Sequence, residues 1–218
     1  GAYVAHVNTS PIRKIGAIAL LILPSLFVLS MASSAQAAPR MVRVAILSGQ
    51  SNMADGWPSD TLTAWPQAWY DDSTAAGAAN SAWKGLNLPA EGSIGVQAGV
   101  AEVLRAAYPE DQIAILKVSQ GATGVSYWAN AGSPGYEALT SRITAVKDRL
   151  LAQQAAGEIA GFSFVGFFWM QGENEIDPWN TSGSRLYFET FHKIPTAVRA
   201  FTGVPALPMI LGRTSNAY

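Results

Sequence analysis

The chain has 218 residues, 49% hydrophobic and 13% charged, which is ample material for one core and not comfortably enough for two. Its net charge of -1, with no Lys/Arg cluster, excludes the concentrated basic surface that nucleic acid requires and fits an uncharged small molecule or polysaccharide better. The complete lack of cysteine excludes disulfides, thiolate chemistry, cysteine-ligated metals and a lipidated cysteine anchor.

At the N-terminus, Arg13 and Lys14 precede the apolar stretch Ile15 to Ser30 and the small-residue run Ala35-Gln36-Ala37-Ala38, the three parts of an export signal. The apolar stretch approaches the ~17 to 25 residues of a membrane span, but Pro24 and the Ala-Gln-Ala site favour cleavage, placed after Ala37. Residues 1–37 are therefore expected to be flanking sequence and signal peptide. Residues 38–218 form the mature domain, secreted or periplasmic and without stable membrane insertion after cleavage.

From Met41 onward, short apolar runs alternate with segments of helical period, which predicts βαβ units and a parallel sheet. The strand candidates are Val42 to Leu47, Ile113 to Val118, Phe162 to Phe168 and Leu207 to Leu211. Ile94 to Ala107 is a helix candidate, and Leu139, Ile143, Val146 and Leu150 mark the apolar face of another. Leu186, Ile194, Val198 and Phe201 suggest a third, ended by Gly203 and Pro205. The stretch Asp55 to Glu91, rich in Gly, Pro, Ser and Asn, is expected to be a long loop over the site, carrying Trp57, Trp65, Trp69, Tyr70 and Trp83.

Two strand candidates end in polar motifs. Gly49-Gln50-Ser51-Asn52-Met53 follows the first and Trp169-Met170-Gln171-Gly172-Glu173 follows the third, which puts both at the sheet edge where open α/β folds keep their sites. A serine hydroxyl needs a base and oxyanion donors before it is a useful nucleophile, so Ser51 acquires meaning only from this context. Met53 stands where the G-x-S-x-G elbow requires glycine, which disfavours the α/β-hydrolases.

Gly49 to Met53 instead resembles the first block of the SGNH hydrolases, in their sialate O-acetylesterase and acetylxylan esterase branch. Trp169 to Glu173 looks like that branch's Gln-Gly-Glu block. Lys117-Val118-Ser119-Gln120-Gly121-Ala122-Thr123, with Trp128 following, is similar to its Gly-Gly-Thr block, with Ala122 in place of the second glycine. The resemblance implies a three-layer αβα flavodoxin-like fold with a parallel sheet, incomplete at its C-terminal end. It also implies a serine esterase that removes O-acetyl groups from carbohydrate, of the acetylated xylan or sialic acid type. By that resemblance Ser51 is the nucleophile, the Ser51 and Gly121 amides and the Gln171 side chain form the oxyanion hole, and Asn52 and Glu173 support it.

The family's catalytic histidine sits in an Asp-x-x-His-like block near the C-terminus, whereas this chain has only His6 and His192. His6 falls within the expected signal region, and His192 has Glu189 three residues before it in a predicted helix. The base is therefore expected beyond Tyr218, and the chain as given is expected to be weak or inactive as an esterase. The alternative is a catalytically inactive carbohydrate-binding module on the same fold. A glycosidase using Glu173 with Glu175 or Asp177 ranks below both. The sequence holds no H-E-x-x-H, Cys/His cluster, G-x-G-x-x-G or Walker A pattern, so no metal and no cofactor are expected.

Overall fold

The run MVRVAILSG is buried along almost its whole length, as expected of a central strand covered by helices on both faces. The computed structural model describes residues 38–54, 57–58, 65–74, 83–86, 93–175 and 181–213. In chain order their elements are β1 (Met41–Gly49), α1 (Ser51–Ala54), β2 (Trp57–Pro58), β3 (Trp65–Thr74), β4 (Lys84–Leu86), β5 (Ser93–Ile94), α2 (Val96–Ala107) and β6 (Gln112–Ser119). There follow α3 (Val125–Ala129), α4 (Pro134–Ala155), β7 (Gly161–Met170), a 3-10 turn (Glu173–Glu175), α5 (Thr181–Phe191), α6 (Lys193–Thr202) and β8 (Met209–Leu211).

The main sheet has the order β4-β3-β6-β1-β7-β8, and β2 pairs with β5 apart from it. All pairings in the main sheet are parallel except β3 with β4. Counted alone, β6-β1-β7-β8 run in the order 2-1-3-4 of a flavodoxin-like sheet, with β3 and β4 added outside β6. Alternate residues divide the core. Val44, Ile46, Leu116, Val118 and Phe167 meet the α4 face Leu139, Ile143, Val146 and Leu150 and the α6 residues Ile194 and Val198. On the opposite face, Ala45, Leu47, Ile113 and Ile115 meet Met53 of α1 and Val100 and Ala101 of α2. Each large aliphatic side chain fully buried here contributes about 1.5–3 kcal/mol relative to exposure. The result is a three-layer α/β domain.

Two expectations are corrected. The stretch expected to be a loop contributes β3 to the main sheet, in register from Trp69 opposite Ala114 to Thr74 opposite Ser119. It escapes detection because the residues of β3 described as buried are the small Ala68 and the acid Asp71 rather than large aliphatics. Trp69 and Trp83 stack with ring centroids 5.7 Å apart and, partly buried, pack on the α4 side of the core. The side chains of Trp57 and Trp65 lie outside the described residues.

The single helix expected around Leu186 to Phe201 is two helices, α5 and α6, broken at His192. Pro195 has no N–H to donate to the Phe191 carbonyl and its ring crowds that carbonyl, so the helix stops there and restarts with proline in the new first turn. Ile194 and Val198 are buried as expected, while Leu186 and Phe201 are exposed. Among the described residues no helix is long and apolar enough to cross a membrane. The expected signal segment and His6 lie outside the described residues.

Candidate active site

β1 lies between β6 and β7, and the carboxyl ends of these strands supply the three polar motifs. The edge is tied together by backbone bonds: the Gln50 amide donates to the Met170 carbonyl at 3.0 Å, and the Gln120 amide donates to the Gly49 carbonyl at 3.1 Å. Gly49 makes the approach possible. Its φ is +146°, and a Cβ there would lie 1.9 Å from the Met170 carbonyl oxygen.

Ser51 opens α1, a single turn whose Met53 and Ala54 amides both donate to the Gln50 carbonyl at 2.9 Å. The amides before these have no intrahelical acceptor, so the first turn offers free N–H groups beside a half-buried hydroxyl. Gly121 faces it directly, since a Cβ built on Gly121 would lie 3.8 Å from the Ser51 Cβ. The structure thus brings the nucleophile candidate and the glycine amide candidate together.

The supporting residues are joined as well. Gln50 and Asn52 each donate their side-chain amide to the Glu173 carboxylate, so Glu173 grips the nucleophile turn on both sides of Ser51. The partner of Asn52 is 121 residues away in sequence.

Gln171 differs from expectation. Its Nε2 donates to the Thr123 carbonyl at 3.0 Å and to Glu175 Oε2 at 2.7 Å, so both amide hydrogens are engaged inward. The reverse orientation would set the amide oxygen against two acceptors, which fixes the assignment. In this arrangement Gln171 braces the Gly121 loop rather than offering its N–H groups to an oxyanion.

Sequence reasoning missed the centre of that brace. Glu175 is only 7% exposed and also accepts from the Val125 amide at 2.5 Å. Gly124 permits this, because a Cβ there would meet Glu175 Oε1 at 2.8 Å. Thr123 Oγ1 donates to the Gln120 carbonyl at 2.8 Å and accepts from Trp128 Nε1 at 2.9 Å, locking the loop between β6 and α3. Trp169 Nε1 donates to the Tyr187 hydroxyl at 3.1 Å, which in turn donates to the Gln171 carbonyl at 3.3 Å. Burial raises the Tyr187 pKa above its ordinary value; the Trp169 bond opposes this, and the charges of Glu175 and Glu173 add to it. The available signals were Gln50 inside the first motif and a second glutamate two residues after Glu173.

His192 is not part of this constellation. It is exposed at the α5–α6 junction and lines a shallow surface recess of about 500 Å³ with Asn130, Tyr136 and Lys193. The glycosidase alternative also loses its footing, because Glu173 and Glu175 share one short turn and both accept internal N–H bonds. Asp177 lies outside the described residues.

Comparison with known proteins bears on the fold and the family. NanS superposes with a TM-score of 0.60 at 18% identity, over 82% of this chain and 69% of that one. A protein of Arabidopsis thaliana gives 0.54 at 19% identity, over 78% of this chain and 72% of that one. XAC1771, a carbohydrate acetylesterase from Xanthomonas citri, gives 0.53 at 19% identity, over 77% of this chain but only 40% of its own length. These likenesses show the fold. No curated protein matches by sequence. The family model described as carbohydrate esterase, sialic acid-specific acetylesterase matches residues 41–217, from the first strand through all three motifs, and the chain belongs to that family.

Proposed function

We propose that this protein is an exported serine esterase that removes O-acetyl groups from an acetylated sugar or polysaccharide through an acetyl-serine intermediate. The observation that carries it is Ser51 at the start of a one-turn helix on the carboxyl edge of β1, set against Gly121. In the proposed reaction Ser51 Oγ bonds to the acetyl carbonyl carbon while a base takes its proton. The Ser51 and Gly121 amides donate to the oxyanion, and removing one such donor typically costs about 100- to 1,000-fold in rate. Collapse breaks the bond to the sugar oxygen, which takes the proton. Water then attacks the acetyl-serine and releases acetate.

The base is a histidine by family resemblance, and the position of His192 argues against that residue. The second reading is an inactive carbohydrate-binding module on the same fold. Acetate release from acetylated xylan, from an O-acetylated sialic acid and from a small aryl acetate separates the two. Turnover by the protein expressed from its full reading frame that is lost on Ser51→Ala supports the esterase; sugar binding by that protein without turnover supports the module. Retained turnover in Ser51→Ala removes Ser51 from the mechanism.

A further inference from the structure

Strand β6 reads Gln-Ile-Ala-Ile-Leu-Lys-Val-Ser, and Lys117 interrupts an otherwise aliphatic centre. A strand covered on both faces demands apolar residues, and a buried ammonium costs several kcal/mol unless its hydrogens are well used. Lys117 is nevertheless only 2% exposed. It falls on the face that carries Ile113 and Ile115 and packs against α1 and α2. Departures from the local rule of this kind concentrate at functional sites.

The ammonium has defined partners. Nζ donates to the Ala54 carbonyl at 3.0 Å and to Gln97 Oε1 at 3.1 Å. Ala54 ends α1, the turn that Ser51 begins. A one-turn helix is not stable alone and leaves its last carbonyls without intrahelical donors. Gln97 is itself held, because its carboxamide folds back over Gly95, where a Cβ would meet Oε1 at 2.2 Å. Gly121 follows Lys117 closely along the same stretch of chain.

We infer that Lys117 is a positioning residue, which clamps the nucleophile turn by its C-terminal carbonyl and so sets Ser51 against the Gly121 amide. The inference rests on the proposed esterase reading of that site. The clamp on the nucleophile then sits near the end of β6, and the oxyanion donor sits in the braced loop that leaves it two residues after Ser119, so a short stretch of one chain segment sets their spacing. Glu173 holds the flanks of the turn from β7, and Lys117 holds its far end from β6.

The test is Lys117→Met in the full chain, with amide hydrogen exchange and ester turnover read side by side. Exchange of the Met53 and Ala54 amides should accelerate about tenfold or more relative to Leu47 and Ile115 in the neighbouring strands. In turnover, kcat for the aryl acetate should fall about 10- to 100-fold, the scale of a displacement near 1 Å, with KM within about twofold. Uniform acceleration of all four amides would make Lys117 a core residue only and overturn the inference. So would unchanged exchange in α1. If Lys117→Met does not fold, Gln97→Leu removes one acceptor and keeps the lysine; it should accelerate the same two amides less strongly, and no change there overturns the clamp. If the protein expressed from its full reading frame shows no turnover while its α1 amides respond as stated, the esterase reading is refuted and the clamp stands.

Discussion

Two buried polar networks flank β6 and β1 in this fold, and they are built differently. At the carboxyl edge, the carboxylates of Glu173 and Glu175 take neutral N–H donors from Gln50, Asn52, Val125 and Gln171. Across β6, Asp71 of β3 instead meets cations of α4: Arg149 Nη1 at 3.1 Å and Arg142 Nη1 at 3.6 Å, with Arg149 also lying 4.9 Å above the Trp83 ring. The first network joins loops to one another, and the second joins an outer strand to a helix. Directional bonds from one backbone amide and three side-chain carboxamides define the positions of loops, whereas an ion pair mainly anchors mass against mass. Damage to the second should therefore register in stability and damage to the first in turnover.

The largest stability effect is expected at Asp71. With Asp71 only 1% exposed, Asp71→Ala leaves two arginines beside a lost charge and should cost about 3–5 kcal/mol. Chemical denaturation measures this, and turnover per folded molecule should stay unchanged. A catalytic defect in the folded fraction would erase the contrast between the networks.

Glu175→Gln comes next and should show the opposite balance. It exchanges an acceptor for an amide that cannot accept from both Val125 and Gln171. Kinetics should show kcat lower by up to about 100-fold, with stability reduced by about 1–3 kcal/mol. Wild-type kcat in Glu175→Gln would remove the brace from the catalytic account.

Tyr187 offers a finer probe through pH. Its raised pKa means that folding favours the neutral phenol, so this contribution is fully present below pH ~10 and is lost as pH rises through the folded-state value. Denaturation midpoints measured between about pH 8 and 11 should fall at the alkaline end in the wild type and fall less in Tyr187→Phe. Parallel curves would show that the phenol is not linked to folding.

The smallest effect is expected at Ala122, which holds φ +57° where the family pattern has glycine. A left-handed residue with a Cβ costs about 1–2 kcal/mol, so Ala122→Gly should raise stability by about 1 kcal/mol, readable as a shift in Tm. A loss of stability would mean that loop stiffness outweighs strain at this corner of the brace.

The sequence and the structure agree best where burial is purely apolar. Runs such as Val42 to Leu47 and Phe162 to Phe168 announce central strands because both faces are covered, and they lie within β1 and β7. β3 was hidden because its buried Asp71 is charged and compensated by α4 from 78 residues away, which no local pattern records. The α5–α6 break was visible in Pro195, but the apolar spacing across it suggested continuity. At the site, Ser51 and Gly121 stood out by their place after strands. The grips of Glu173 and Glu175 did not, because Glu173 meets Gln50 and Asn52 more than a hundred residues away and Glu175 meets Val125 50 residues away, separations that leave no periodic trace.

The distance between those partners also bears on how the protein comes into being. Asn52 and Glu173 are separated by 121 residues, and β1 must pair in parallel with both β6 and β7 before the grip on the nucleophile turn exists. Parallel pairing over such separations must overcome the chain entropy of closing long loops, which makes it a slow and late event in folding. During synthesis, the serine leaves the ribosome long before the carboxylate that holds its turn, so its surroundings assemble only once the third strand of the set has docked. Competence at Ser51 then arrives together with the sheet, and a half-folded chain carries an ordinary hydroxyl.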